Sequence, residues 1–292
     1  MGAHISPRDA AALAARHLGQ EVQLIDRYDS GGAEGAYRVV TGGTPAVLKY
    51  WSGEQTRALR LSTAVAAHEI LRSCGWPLPT ILCWRHEPHF AFVLEAQMPG
   101  RHVDSVSDAL CHQLLTLLSA VAPGAGGALA DASEWVALLE RSLHEDLPLS
   151  PCRPRFLERT AVGRRLVAQA RAALDAARPS LSAARDIIHG DFSAGNILCD
   201  DMGGLSAVLD WQRACVGHRG FDLIGLEWDL ALRLNVGSAP ALARVTAQVN
   251  ELIEEPVRRF CRAYYGVWNL SWALDTPDEQ QVLHAAAAVG VL

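Results

Sequence analysis

Ile187-Ile188-His189-Gly190-Asp191-Phe192-Ser193-Ala194-Gly195-Asn196-Ile197-Leu198 reads as an apolar strand that delivers His-Gly-Asp to a turn. An asparagine follows five residues after the aspartate, and a second strand, Ser206-Ala207-Val208-Leu209, delivers Asp210-Trp211. A hairpin with two carboxylates and a carboxamide at its mouth supplies what phosphoryl transfer asks of a protein. Asp191 is expected to face an incoming hydroxyl as catalytic base, while the Asn196 carbonyl turns back toward a metal ion. Asp210 is expected to bring a hard anionic oxygen to the same ion, as Mg²⁺ prefers. His189 is expected to support the loop by hydrogen bonding.

Upstream of this hairpin the chain carries a single lysine among 26 Lys and Arg residues, Lys49 in Ala46-Val47-Leu48-Lys49-Tyr50. Arginine is a planar fork suited to bidentate partners, whereas an ammonium is a compact charge that fits between phosphate oxygens. Lys49 on a strand is therefore expected at the phosphates of a nucleoside triphosphate. Glu69, on the helix after that strand, is positioned to pair with it. Ser30-Gly31-Gly32-Ala33-Glu34-Gly35 is expected as the turn over the phosphates, where missing Cβ atoms allow close backbone approach.

The elements around these residues divide the chain. Ser6, Pro7 and Asp9 form a capping-box-like start for a helix running to Leu18. Period-2 segments at 21–26, 36–40 and 46–51, with glycine clusters at 31–35 and 42–43, predict an antiparallel meander. A helix over 57–74, with Leu59, Val65, Ala66, Ile70 and Leu71 available for its apolar face, separates it from strands at 80–84 and 90–95. From Asp104 the pattern turns helical, over 107–121, 133–147, 156–177, 221–235, 240–255, 257–265 and 277–288, interrupted by the hairpin at 187–210. The expected fold is α+β and bilobal: residues 1–97 form a nucleotide-binding sheet lobe with one main helix, and residues 98–292 form a helical lobe for catalysis and substrate binding.

Composition limits the partners. The formal net charge of −6 argues against nucleic acid and favours a cationic small molecule. Seven cysteines without a Cys-x-x-Cys pair suit a reducing, cytoplasmic setting, and no run of 18 apolar residues suggests a membrane span. The chain is expected to act as a monomer or homodimer. A cationic substrate needs carboxylates, and Glu227, Asp229 and Glu134 are the candidates. Asp222 and Asp229, seven apart, share a helix face, and Asp222 is expected to stabilise the catalytic loop.

Together these features resemble the aminoglycoside phosphotransferase and choline kinase-like superfamily of small-molecule kinases, whose fold is protein-kinase-like. The match is carried by His189-Gly190-Asp191 with Asn196, Leu209-Asp210-Trp211, Lys49, Glu69, Gly75-Trp76-Pro77-Leu78-Pro79, Met98-Pro99-Gly100 and Gly220-Phe221-Asp222-Leu223. The resemblance implies that Asn196 and Asp210 ligate Mg²⁺ and that Lys49 holds the α- and β-phosphates. It implies that the backbone of Glu95-Ala96-Gln97-Met98 binds the base of ATP or GTP. It also implies transfer of a γ-phosphoryl group to a hydroxyl of a small cationic antibiotic, an aminoglycoside or basic peptide, conferring resistance. The other readings are a metabolic kinase for choline, homoserine, methylthioribose or a sugar, and a catalytically silent nucleotide-binding relative. Asp-Phe-Gly, Ala-Pro-Glu and Gly-x-x-x-x-Gly-Lys signatures are missing, which counts against ordinary protein kinases and P-loop enzymes.

Overall fold

The computed structural model describes residues 5–28, 36–53, 60–127, 129, 132–147, 150–233, 238–273, 279–288 and 290. Its first element is the helix that the cap residues announce. In α1 (Pro7–Leu18) the Ser6 hydroxyl accepts from the Asp9 N–H, and the Asp9 carboxylate accepts from the Ser6 N–H. Strands β1 (Val22–Arg27), β2 (Ala36–Thr41), β3 (Thr44–Ser52), β4 (Ile81–His86) and β5 (Phe90–Ala96) then form one antiparallel sheet in the order β1-β2-β3-β5-β4. Gly42 and Gly43, both at positive φ, make the tight turn between β2 and β3.

Alternation along the strands sorts the two faces of this sheet. Ala46, Leu48, Tyr50, Phe92 and Leu94 pack with Ala10, Ala11 and Ala14 of α1. Trp51, Ala91 and Val93 instead meet Leu61 and Val65 of helix α2 (Leu61–Ser73). Lys49, two residues before Trp51, therefore projects from the α2 side.

The rest of the chain builds a helical lobe around short strands. After β6 (Arg101–His102) come α3 (Asp108–Ala120), α4 (Ala132–Ser142), the single turn α5 (Pro154–Leu157) and the long α6 (Ala161–Ala183). Strand β7 (Asp186–Ile188) leads into the His-Gly-Asp segment, which continues through β8 (Ile197–Cys199), β9 (Leu205–Val208) and β10 (Cys215–Gly217). β6, β8 and β9 form one small sheet, and β7 pairs with β10 in another. Helices α7 (Gly220–Leu232), α8 (Ala239–Leu252), α9 (Glu255–Ala273) and α10 (Glu279–Ala288) complete the lobe.

Several boundaries differ from expectation, among them the helix expected over 133–147, which ends at Ser142. The helix expected over 156–177 is two elements, because Thr160 caps α6 by accepting the Gly163 N–H. Helix α9 runs past Tyr265 to Ala273, since Val267, Trp268, Leu270 and Ser271 extend its buried stripe. Strand β10 falls outside the expected hairpin; it is too short for an alternating pattern and is held by its register with β7.

One core spans both parts of the molecule. Leu71, Trp76 and Leu78 join Leu110, Leu114, Trp228 and Phe260 in a single buried cluster. Each fully buried large side chain there contributes roughly 1.5–3 kcal/mol. Between β5 and β6 the chain crosses at Pro99-Gly100, where the Ser206 hydroxyl donates to the Pro99 carbonyl. A Cβ on Gly100 would lie 2.8 Å from the Cys199 carbonyl oxygen, so only glycine permits this close crossing. All seven cysteines are free thiols, and among the described residues no helix is long and apolar enough to cross a membrane.

Candidate active site

The loop after β7 is fixed at both ends by carboxylates of α7. Asp222 accepts from the N–H groups of His189 (2.6 Å) and Gly190 (2.9 Å), and Asp229 accepts from the Ala194 N–H at 3.0 Å. Their seven-residue separation puts both on one helix face, so one rigid element sets the loop. Burial pushes the Asp222 carboxyl up to about 7, against the two amide donors that pull it down. Gly190 has φ +78, and a Cβ there would lie 2.7 Å from the Arg213 carbonyl oxygen.

His189 supports this loop and does not face solvent. One ring nitrogen, Nε2, lies 2.7 Å from the Leu209 carbonyl, and the other, Nδ1, accepts from the Asp191 N–H at 3.2 Å. A carbonyl takes only a donor and an N–H offers only a hydrogen, so the ring is the neutral Nε2–H tautomer. Burial agrees, pushing its pKa down to about 4. Trp211 and Phe192 pack edge-on against the ring, at 4.4 and 5.8 Å between centroids.

Asp191, Asn196, Asp210 and Lys49 come together at the mouth of this hairpin. The Asn196 amide donates to the Asp191 carbonyl at 2.8 Å, which commits its nitrogen and leaves its carbonyl oxygen for another partner. Asp210 is the one non-glycine residue at positive φ among the described residues (φ 70, ψ 53). Such a conformation costs about 1–3 kcal/mol and persists where surrounding contacts hold it. Here Lys49 Nζ donates to Asp210 Oδ1 at 3.1 Å, and the Gln212 amide donates to the same oxygen. Burial would raise the Asp210 pKa, but Lys49 and Gln212 bring it below the usual carboxylate value. Asp191 goes the other way: burial raises it to about 6, with Arg213 pulling down and Asp210 and Asp229 pushing up.

The donors present fit Mg²⁺. Asp210 and Asn196 offer one carboxylate and one carboxamide oxygen, both hard ligands. Mg²⁺ usually takes one or two protein oxygens and completes its shell with water and substrate phosphates. Among the described residues no group of three or more His, Cys, Asp and Glu side chains forms a closed metal cage.

Several expectations need correction. Glu69 does not meet Lys49; it is exposed, while Leu61, Ala64, Val65, Ala67, His68 and Leu71 form the buried face of α2. The inward stripe is turned by one residue from the expected one, and a single residue is about 100° on a helix. Lys49 pairs instead with Glu95 Oε2 at 3.2 Å. Burial alone would lower the lysine pKa, but Glu95 and Asp210 raise it well above its ordinary value.

The expected substrate carboxylates are all matched by arginines. Glu227 is fully buried and bidentate to Arg262, at 2.8 and 2.6 Å. Asp229 pairs with Arg233 at 3.1 Å besides holding the loop, and Glu134 pairs with Arg60 at the surface. Trp135, Trp211 and Trp228 lie in the core. Ser30, Gly31 and Gly32 lie outside the described residues. Gln97 is exposed with its N–H donating to the Pro45 carbonyl, and the half-buried Met98 backbone bonds no described residue.

Arg213 and Trp268 were not anticipated. The Arg213 Nε lies 3.9 Å from Asp191 Oδ2, and its guanidinium sits 5.2 Å above the Trp268 ring. The signal in sequence was slight: Arg213 follows Asp210 by three, one turn of the 3₁₀ segment Trp211–Arg213.

An antiparallel sheet lobe presenting a lysine to the His-Gly-Asp hairpin of a helical lobe defines the protein-kinase-like fold. Within it, the phosphotransferase enzyme family matches residues 27–264, and the chain belongs to that family. Among solved structures, the aminoglycoside phosphotransferase APH(4)-Ia is similar with a TM-score of 0.62 and 16% identity, covering 97% of each chain. A thermostable mutant of that protein, solved as a ternary complex with ADP and hygromycin B, has a TM-score of 0.59 at 16% identity over 96% of each chain. APH(3'')-Id from Streptomyces rimosus, in complex with ADP and streptomycin, matches with a TM-score of 0.59 and 19% identity, over 92% of this chain and 100% of that one. No curated protein sequence matches.

Proposed function

We propose that the chain transfers the γ-phosphoryl group of a Mg²⁺-bound nucleoside triphosphate, ATP or GTP, to a hydroxyl of a small molecule. The observation that carries this is the convergence of Lys49 with Asp210, Asn196 and Asp191, which lie far from it along the sequence. Residues 1–97 hold the phosphates at Lys49, and the base lies against the backbone of residues 95–98, where this lobe joins the next. Residues 98–292 supply the base and the acceptor pocket. Mg²⁺, held by Asp210 and Asn196, would neutralise charge on the phosphates when bound.

Asp191 accepts the acceptor hydroxyl proton as that oxygen bonds to the γ-phosphorus and the bond to the leaving nucleoside diphosphate breaks. A base raised to about 6 is strong for a carboxylate yet ionised near neutrality. Arg213 beside it favours the ionised form and limits that rise.

For the acceptor, an aminoglycoside or basic peptide antibiotic draws support from the hygromycin B and streptomycin bound by similar structures and from the net charge of −6. A metabolic kinase is the second reading. It is favoured by the arginine partners of Glu227, Asp229 and Glu134, which leave these carboxylates little charge for a polycation. The intact set of acid, amide and lysine speaks against a silent relative. In this reading the chain works in the cytoplasm as a monomer or homodimer, away from nucleic acid and membranes. Mass spectrometry of a panel of antibiotics, amino alcohols and sugars incubated with enzyme and Mg²⁺-ATP tests it. One acceptor should gain a single phosphoryl group; turnover of a metabolite alone would remove the resistance role, and no transfer to any hydroxyl would oppose the enzyme reading.

A further inference from the structure

We propose that Glu95, a strand residue, is the positioning residue that orients Lys49, so that the ammonium is anchored within the sheet and independently of helix α2. This rests on the phosphotransferase reading for the role of Lys49, but its geometry stands alone. Strands β3 and β5 pair in register from Ala46↔Ala96 to Ser52↔Phe90, with Lys49 opposite Val93. Glu95 lies two residues beyond Val93, and residues two apart share a face, so its side chain is a diagonal neighbour of Lys49. The carboxylate is 6% exposed as a residue and reaches the ammonium at 3.2 Å. It is the only charge in the otherwise apolar β5, where burying a carboxylate is costly unless it is paired.

Helix α2 offers no counter-charge in its place. Its residue turned toward the pair is His68, 2% exposed, with its ring 6.2 Å edge-on from Trp211 and Nε2 without a partner among the described residues. Burial lowers the His68 pKa, with Glu95 acting against that. Glu69 is one position further round and exposed. The second carboxylate on Lys49, Asp210, is also the one placed to share its charge with a metal ion. Among the described residues, the one ion pair of Glu95 is with this lysine. Because both members of the pair sit on hydrogen-bonded neighbouring strands, a shift of α2 leaves the anchor intact.

The single lysine makes this directly measurable. Protein labelled with ¹⁵N-lysine has one side-chain ammonium signal, and it needs no substrate to be read. Glu95→Gln should move that signal or broaden it by faster solvent exchange, while Glu69→Gln leaves it in place. Glu95→Asp, which keeps the charge, should lie between Glu95→Gln and the wild type and serves if Glu95→Gln fails to fold. In Mg²⁺-ATP titrations, Glu95→Gln should weaken binding at least tenfold and Glu69→Gln by less than twofold. Lys49→Met with Glu95→Gln should bind no worse than Lys49→Met alone, since Glu95 acts through the lysine. An unmoved signal in Glu95→Gln, an equal response to Glu69→Gln, or additive losses in the double variant would overturn the proposal. Wild-type protein that binds no Mg²⁺-nucleotide while the signal still responds to Glu95 would instead reject the phosphotransferase reading and leave the pair as structure only.

Discussion

The carboxylates of the hairpin between β7 and β10 and those of helix α7 differ in what the chain has already given them. Asp191 has a guanidinium at 3.9 Å and a pKa raised to about 6, and Asp210 holds a lysine from another lobe in a strained backbone conformation. On α7, Asp222, Glu227 and Asp229 are saturated by backbone amides or arginines. Acidic residues on the buried helix face hold the loop and the helix packing, whereas those at the strand ends meet the lone lysine and an arginine at the mouth of the hairpin. Charge counted along the sequence does not separate the two uses; the partner each carboxylate finds does.

The largest expected difference between the regions is in turnover. Asp191→Asn should lower kcat by about 10²–10⁴-fold, the range for losing a general base, with the melting temperature little changed. An unimpaired Asp191→Asn enzyme would assign the base elsewhere. Glu227→Ala should do the reverse. Removing one member of a buried pair costs roughly 3–5 kcal/mol, so the variant should melt well below wild type, while its remaining folded fraction keeps the nucleotide affinity. A stable Glu227→Ala protein with lost acceptor binding would return Glu227 to the substrate side.

A smaller effect is expected from pH. The base must be ionised, and its pKa is raised, so kcat/KM should climb about tenfold per unit below pH 6 and level off above it. Asp191→Asn should abolish that limb, while a limb that persists would belong to another group. Glu134→Gln should be the mildest change. Its pair with Arg60 is exposed, and such pairs contribute little, so melting and turnover should both match wild type. Reduced affinity for the acceptor in Glu134→Gln would place this residue in the pocket after all.

Much of the hairpin was legible because its chemistry is local. His-Gly-Asp, an asparagine five residues on and Asp-Trp at the next strand end fall within one short segment, where spacing fixes geometry. Ser6 and Asp9 were legible for the same reason, as was the turn at Gly42-Gly43. Glu69 was misplaced because the apolar face of α2 can be drawn through Ile70 or through His68, and alanines on both sides blur the periodicity. The partner of Glu227 is on α9, 35 residues away, and nothing local announces it. By contrast, Asp229 and Arg233, the residue that caps the end of α7, are four apart, and that pair could have been read as a local ion pair.

The convergence of Lys49, Asp210, Asn196 and Asp191 on one magnesium-bound triphosphate is tested most directly by titrating ATP, with and without Mg²⁺, into Asp191→Asn and Asp210→Asn side by side. Asp191→Asn should bind Mg²⁺-ATP like wild type without transferring phosphate, and Asp210→Asn should lose the Mg²⁺-dependent part of the affinity. Equal, Mg²⁺-independent binding by both variants would contradict it.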